Sequence, residues 1–217
     1  MRTMLLVTLT LVFVSCAHQS PMTNEHGLHR RFDDADEWAR RFEDPKRDEW
    51  QKPDEVIKHL GLAPDSKVAD IGAATGYFPV RVAHAVPRGH VYGVDIESSM
   101  TEYLAKRAER EGLSNLTAIL GAPDDAKLPE SVDLVMVVDT YHHIGSRPAY
   151  FKKLKESVTA NGHLVIIDFT KRSSMGPPSA AKVEVDQVIE ELRTAGWMFS
   201  ARHEVLPEQY FLVFSKS

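Results

Sequence analysis

Val68-Ala69-Asp70-Ile71-Gly72-Ala73-Ala74-Thr75-Gly76-Tyr77-Phe78 is the stretch whose reading decides the fold. Val68 to Ile71 read as the end of a buried strand. From Gly76 onward the apolar residues Phe78, Val82, Ala85 and Val86 recur at helical spacing. A strand that enters a helix through a turn of small residues lets a ligand touch the backbone and the positive end of the helix. Asp70 closes this strand, and Asp95 closes the next one, Val91-Tyr92-Gly93-Val94-Asp95. Two carboxylates at neighbouring strand ends suit a ligand that carries both an ammonium group and a ribose diol.

Outward from this bend the chain alternates regularly. Strands are expected near 67–71, 90–95, 116–120, 133–139 and 163–169, and helices near 76–86, 99–111, 147–159 and 183–195. Ser99-Met100-Thr101-Glu102 has the form of a capping box, and Asn161-Gly162 reads as the turn into the last parallel strand. After Gly196, the segments Trp197–Val205 and Gln209–Phe214 form a hairpin-like pair joined through Leu206-Pro207. A purely parallel dinucleotide-binding sheet has no such ending.

Upstream, Ala35, Trp38, Ala39 and Phe42 share one helical face and Pro45 stops that helix. A second helical pattern (Val56, Ile57, Leu60) follows Pro53 and ends at Gly61. Residues 33–66 are therefore read as a helical lid on a domain spanning 67–217, with Trp50 and Gln51 at its rim. The alternative is that Trp38 and Phe42 simply pack on the domain. Arg2 followed by an apolar run from Met4 to Val14 has the pattern of an export signal, too short to span a bilayer. Phe13-Val14-Ser15-Cys16 resembles a bacterial lipoprotein box, which makes 1–16 a signal peptide, Cys16 the lipidated start, and 17–32 a polar tether. Ordinary cleavage after Ala17 is the competing reading; both place the protein outside the cytoplasm, periplasmic or membrane-anchored.

The net charge of -5 over 217 residues gives no basic footprint for nucleic acid, and a membrane is approached only through a lipid on Cys16. With one cysteine an internal disulfide is impossible, and no spaced set of metal ligands is evident, so no metal is expected.

Spacing separates the nucleotide classes. The dinucleotide fingerprint requires glycine at the first, third and sixth positions; counted from Gly72 these are Gly72, Ala74 and Tyr77, and the fingerprint fails. The run Asp70-x-Gly72-x-Ala74-x-Gly76 instead resembles the acidic-Gly-x-Gly-x-Gly motif of class I S-adenosylmethionine-dependent methyltransferases, with Ala74 at the middle glycine. Gly121-Ala122-Pro123-Asp124-Asp125, Val138-Asp139-Thr140-Tyr141-His142-His143 and Leu206-Pro207-Glu208-Gln209-Tyr210 look most like an exported bacterial subgroup of that family with undefined substrate. The resemblance implies an α/β fold with a Rossmann-like sheet, mostly parallel with an antiparallel C-terminal strand and helices on both faces. It implies S-adenosyl-L-methionine as cofactor and a small-molecule methyl acceptor as partner.

By the same resemblance, Gly72, Ala73 and Gly76 would border the methionine moiety and Asp70 would act on its ammonium through water or backbone. Asp95 would bind the ribose hydroxyls and Ile96 would pack on the adenine. Asp124 or Asp125 would accept from the adenine amino group, and Asp139 would position the cofactor or its loop. Tyr77 or Trp50 is expected to present an aromatic face to the sulfonium. His142 and His143, just past the fourth strand, are the candidates for removing an acceptor proton; capping or orienting the following loop is the structural alternative. Two other readings compete with the enzyme. One is a non-catalytic module that binds a nucleoside or S-adenosylhomocysteine, and the other is a nicotinamide-dependent reductase, disfavoured by the glycine spacing.

Overall fold

Branched apolar runs alternating with helical patterns give a seven-stranded sheet in the computed structural model, which describes residues 34–216. The expected signal and tether lie outside the described residues. Three short helices come first: α1 (Ala35–Phe42), α2 (Arg47–Gln51) and α3 (Pro53–Leu60). The Asp34 side chain caps α1 by accepting from the Glu37 N–H at 2.9 Å, which satisfies an otherwise orphaned donor. Proline opens α3 and Gly61 closes it at φ +63°.

The sheet and its helices follow as β1 (Lys67–Ile71), α4 (Tyr77–Ala85), β2 (His90–Asp95), α5 (Ser98–Arg110), β3 (Leu116–Leu120) and β4 (Val132–Val138). Then come α6 (Arg147–Leu154), β5 (Val158–Phe169), α7 (Val185–Thr194), β6 (Trp197–His203) and β7 (Gln209–Lys216). The strand order is β3-β2-β1-β4-β5-β7-β6. The first five strands are parallel, and β7 inserts antiparallel between β5 and β6. Side-chain alternation divides the core between the two faces of the sheet. Ile71, Val94, Val137, Ile166 and Leu212 pack with Phe151 and Leu154 of α6 and with Val188 and Leu192 of α7. Val68, Val91, Met136, Ile167 and Phe211 pack with Val56 of α3, Val82 of α4 and Leu104 of α5. Each such fully buried side chain contributes about 1.5–3 kcal/mol of transfer free energy.

Three local expectations change. The N-cap of α5 is Glu97, without a side-chain cap, so the predicted box at Ser99–Glu102 lies inside the helix. Helix α6 ends at Leu154 and tightens into a 3-10 turn over Lys155–Ser157. Asn161-Gly162 does not precede β5 but lies inside it, where the register against β4 jumps from Val132↔Val158 to Leu134↔His163. A bulge accommodates the turn-prone pair without ending the strand.

Candidate functional site

The strand order reverses between β1 and β4, and ligands of open α/β sheets bind beyond the carboxyl ends of the strands at that point. The first element there is the bend after Ile71. Gly72 holds φ +81°, and a Cβ on it would fall 2.1 Å from the Thr140 hydroxyl oxygen, so the loop after β4 closes directly on a bare backbone. Ala74 takes φ +45°, a left-handed conformation that glycine adopts without strain. Its N–H donates to Asp95 Oδ2 at 2.9 Å, while the Glu97 N–H donates to Oδ1 at 3.0 Å. The carboxylate at the end of β2 is thus turned toward the bend. Burial raises its pKa, and the N–H groups of Glu97, Ala74 and Ile96 work against that rise.

Around the bend the carboxylates gather. Asp70 is buried, and desolvation lifts its pKa to about 8, with Arg47 opposing and Asp95 and Asp139 adding to the rise. Asp139, at φ +55°, is pushed up to about 7 by burial, against the pull of Arg47. Arg47, on α2, places its guanidinium 3.1 Å from Asp139 Oδ2 and also donates to Gln51 Oε1 at 3.3 and 3.2 Å. Gln51 donates onward to Gln209 Oε1 at 2.6 Å, and Gln209 donates to Asp139 Oδ1. This chain of donors explains why Gln51 is fully buried and not at a rim. Tyr77 is buried as well: its hydroxyl donates to Asp48 at 2.5 Å, and the Arg47 and Arg81 guanidiniums lie 3.9 and 4.0 Å from its ring centroid. The aromatic face expected to meet a sulfonium is here engaged by two protein cations. Trp50 packs on Phe169, with ring centroids 5.6 Å apart.

Beyond β4 the chain makes a 3-10 turn over Tyr141–His143. His142 Nδ1 lies 2.9 Å from each oxygen of Asp168 on β5, and the His142 N–H donates to Oδ2 at 3.1 Å. The Phe169 N–H completes the shell of this buried carboxylate at 2.8 Å. His143 is exposed, its ring centroid 4.1 Å from that of His142.

On the β2–β3 side, Ile96 is 46% exposed. Asp125 is committed to Lys153 at 3.0 Å and to the Lys127 N–H at 2.8 Å, whereas Asp124 is exposed. Tyr150 and Phe151 belong to the core. The structure therefore brings Asp70, Gly72, Ala73, Gly76, Asp95 and Asp139 together around one bend, and His142 follows two residues after Thr140, which closes on Gly72. Sequence reasoning missed Arg47, Gln209 and Asp168. Two of them left a signal: Asp168 as a single acid ending the apolar run Leu164–Ile167, and Gln209 within the family-like phrase Leu206–Tyr210. Among the described residues, no group of three or more His, Cys, Asp or Glu is arranged to hold a metal.

This donor set fits a nucleoside that carries a cationic amino-acid tail. Asp95 retains lone pairs for two hydroxyls, Ile96 offers an apolar platform, and Asp70 and Asp139 favour positive charge.

Comparison with known proteins agrees with the topology. Residues 62–202 match a family model described as a methyltransferase domain. A 99-residue stretch is 25% identical to (S)-coclaurine N-methyltransferase of Thalictrum flavum subsp. glaucum, covering 46% of this chain and 27% of that protein. Eighty residues are 34% identical to malonyl-[acyl-carrier protein] O-methyltransferase of Methylococcus capsulatus, covering 36% of this chain and 28% of that protein. The chain thus spans little more than a quarter of the length of these relatives. Among solved structures, a SAM-dependent methyltransferase from Aquifex aeolicus superposes with a TM-score of 0.76 at 24% identity, over 82% of this chain and 96% of that one. Magnesium protoporphyrin IX methyltransferase from Synechocystis PCC 6803, with bound SAM, gives 0.64 at 19% identity, over 84% and 90%.

Proposed function

The chain belongs to the methyltransferase-domain family, and from that premise we propose that it transfers the methyl group of S-adenosyl-L-methionine to a small-molecule acceptor. The observation that carries this reading is the Asp95 carboxylate, fixed by the Ala74 N–H against the bend after β1. A carboxylate held there accepts from both ribose hydroxyls, and the left-handed turn beside it borders the methionine tail. The cofactor supplies an electrophilic methyl on a sulfonium; the chain's own residues bind, orient and compensate charge. Asp70 and Asp139 favour the cationic ligand over the neutral product. Asp124, exposed where Asp125 is committed to Lys153, is the better partner for the adenine amino group. Alignment of acceptor, methyl and sulfur is then the main source of rate.

Calorimetry on the full chain tests the proposal. S-Adenosylmethionine is expected to bind, and Asp95→Ala to weaken binding by at least about tenfold, the loss of one charge-assisted hydrogen bond or more. No heat at near-millimolar cofactor would overturn the reading. Binding without turnover on a broad acceptor panel would favour the non-catalytic module.

We further propose that the protein is an exported lipoprotein of the resembled subgroup, lipidated on Cys16, on the strength of the Arg2 to Ala17 pattern. Mass spectrometry of the mature N-terminus decides this: a diacylated Cys16 is expected, and an unmodified start at His18 would exclude it. Among the described residues, no helix is long and apolar enough to cross a membrane.

A further inference from the structure

We infer that Asp168 is a positioning residue that holds His142 as the Nδ1–H tautomer, with its Nε2 lone pair presented as base to an acceptor bearing an O–H or N–H. The inference rests on the methyltransferase reading and names the chemical class of its acceptor. It begins from an asymmetry in the imidazole. Nδ1 is 2.9 Å from both Asp168 oxygens, and a carboxylate can only accept, so Nδ1 carries the proton. Nε2 has no hydrogen-bond partner among the described residues, nor does it count among their buried unpaired polar atoms.

Asp168 is built for this task. It is 1% exposed, yet its oxygens receive the His142 N–H, the Phe169 N–H and the imidazole Nδ1–H. A carboxylate so furnished is fixed in place and stabilises positive charge formed on an imidazole bonded to it. Because the His142 backbone N–H bonds to the same carboxylate, ring and main chain are fixed together. The turn that carries them begins two residues after Asp139, whose carboxyl is held by Arg47 and Gln209. Base and cofactor bend are thereby set by one short, doubly anchored segment.

In the proposed step the acceptor's oxygen or nitrogen bonds to the methyl carbon, and the C–S bond pair stays on the cofactor's sulfur. The acceptor's proton goes to His142 Nε2 and from there to solvent. A thioether or tertiary amine has no proton to give, so such acceptors gain nothing from the couple.

Nitrogen-correlated NMR on the full chain, histidine-labelled and saturated with S-adenosylhomocysteine, reads the tautomer directly. At mildly alkaline pH, His142 is expected to show a protonated Nδ1 and a bare Nε2. Diethyl pyrocarbonate, followed by peptide mapping, is expected to label His142 at Nε2. Asp168→Asn should mix the tautomers and slow that labelling at least about tenfold while cofactor affinity holds. Asn offers an N–H as well as an oxygen, so it no longer dictates the proton's place. His142→Asn, which keeps an amide N–H near the Nδ1 position for Asp168, should fold and bind cofactor normally. If Asp168→Asn proves unfolded, the wild-type tautomer and the His142→Asn folding control still decide. A protonated Nε2 in the wild type, or labelling unchanged in Asp168→Asn, would overturn the inference and leave a purely structural bond. Failure of S-adenosylhomocysteine to bind the wild type would instead count against the methyltransferase reading itself.

Discussion

Replacing Arg47 with methionine removes the guanidinium that is paired with Asp139, and the consequence depends on pH in a direction that can be worked out. The charges are 3.1 Å apart, with the two side chains 14% and 22% exposed. Coulomb's law at that distance gives roughly 1 kcal/mol in a water-like medium and about 5 kcal/mol at an effective dielectric constant near 20. A middle value of about 3 kcal/mol corresponds to roughly two pKa units on Asp139. Its carboxyl already titrates at about 7 in the folded state, above the ordinary aspartate value. A raised folded pKa favours folding at low pH, and that contribution is lost as pH climbs through 7. Without Arg47 the folded pKa moves higher still, and the loss continues toward pH 9. At pH 5 both proteins hold Asp139 protonated, so the variant forfeits little more than hydrogen bonds to neutral partners, about 1 kcal/mol. The deficit should therefore grow from about 1 kcal/mol at pH 5 to about 3–4 kcal/mol at pH 9, read from urea unfolding followed by far-ultraviolet circular dichroism. A deficit that is flat over this range, or larger at pH 5, would refute the account of the acidic cluster.

Gly72→Ala is expected to lower stability by more than about 3 kcal/mol, because the new methyl would meet Thr140 and the left-handed backbone adds strain; thermal melting checks this, and adding Thr140→Ala should restore only part of the loss. Ala74→Gly, which relieves φ +45°, should be neutral or stabilising by up to about 1 kcal/mol in the same assay. Binding of S-adenosylmethionine near pH 7.5 should release on the order of one proton, since Asp70 titrates at about 8 and Asp139 at about 7 and a cationic ligand lowers both. Calorimetry in buffers of different ionisation enthalpy measures that proton, and uptake in place of release would contradict the assigned seat.

The parts of the site that lie along the chain were legible before the structure. Strand, bend and helix at Val68–Phe78 announce themselves by period and by small residues, and Asp95 stands at the end of β2, where the sequence places it. What stayed hidden is what the sheet order creates. Gln209 opens a strand that returns antiparallel next to β5, so its amide reaches Asp139 only once β7 is inserted. Gln51 is expected from sequence at the rim of a lid beside Trp50, yet it is fully buried because Gln209 and Arg47 bind it from two sides. Local pattern has no access to a partner 158 positions away. Asp168 was passed over for a related reason: an acid in an apolar strand is explicable only by the donors that surround it, and these come from His142 and the next backbone N–H.

The carboxylate environments at the ends of β1 and β4 differ from that at the end of β5 in a way that assigns them different work. Desolvation drives the pKa values of Asp70 and Asp139 toward neutrality, and Arg47 opposes the rise in both, so a cation among them is stabilising. Asp168 is supplied by two backbone N–H groups and an imidazole, so it needs no further cation and can support charge on its histidine neighbour. Under the proposed function, holding a sulfonium and accepting a proton calls for both kinds, close enough to share one ligand and distinct enough not to exchange roles. The segment Asp139–His143 carries both in five residues, the Asp139 carboxylate bonded to Arg47 and the His142 imidazole bonded through Nδ1 to Asp168. Exchanging Asp139 for Asn should accordingly weaken cofactor binding while leaving the His142 tautomer in place, whereas Asp168→Asn should do the reverse.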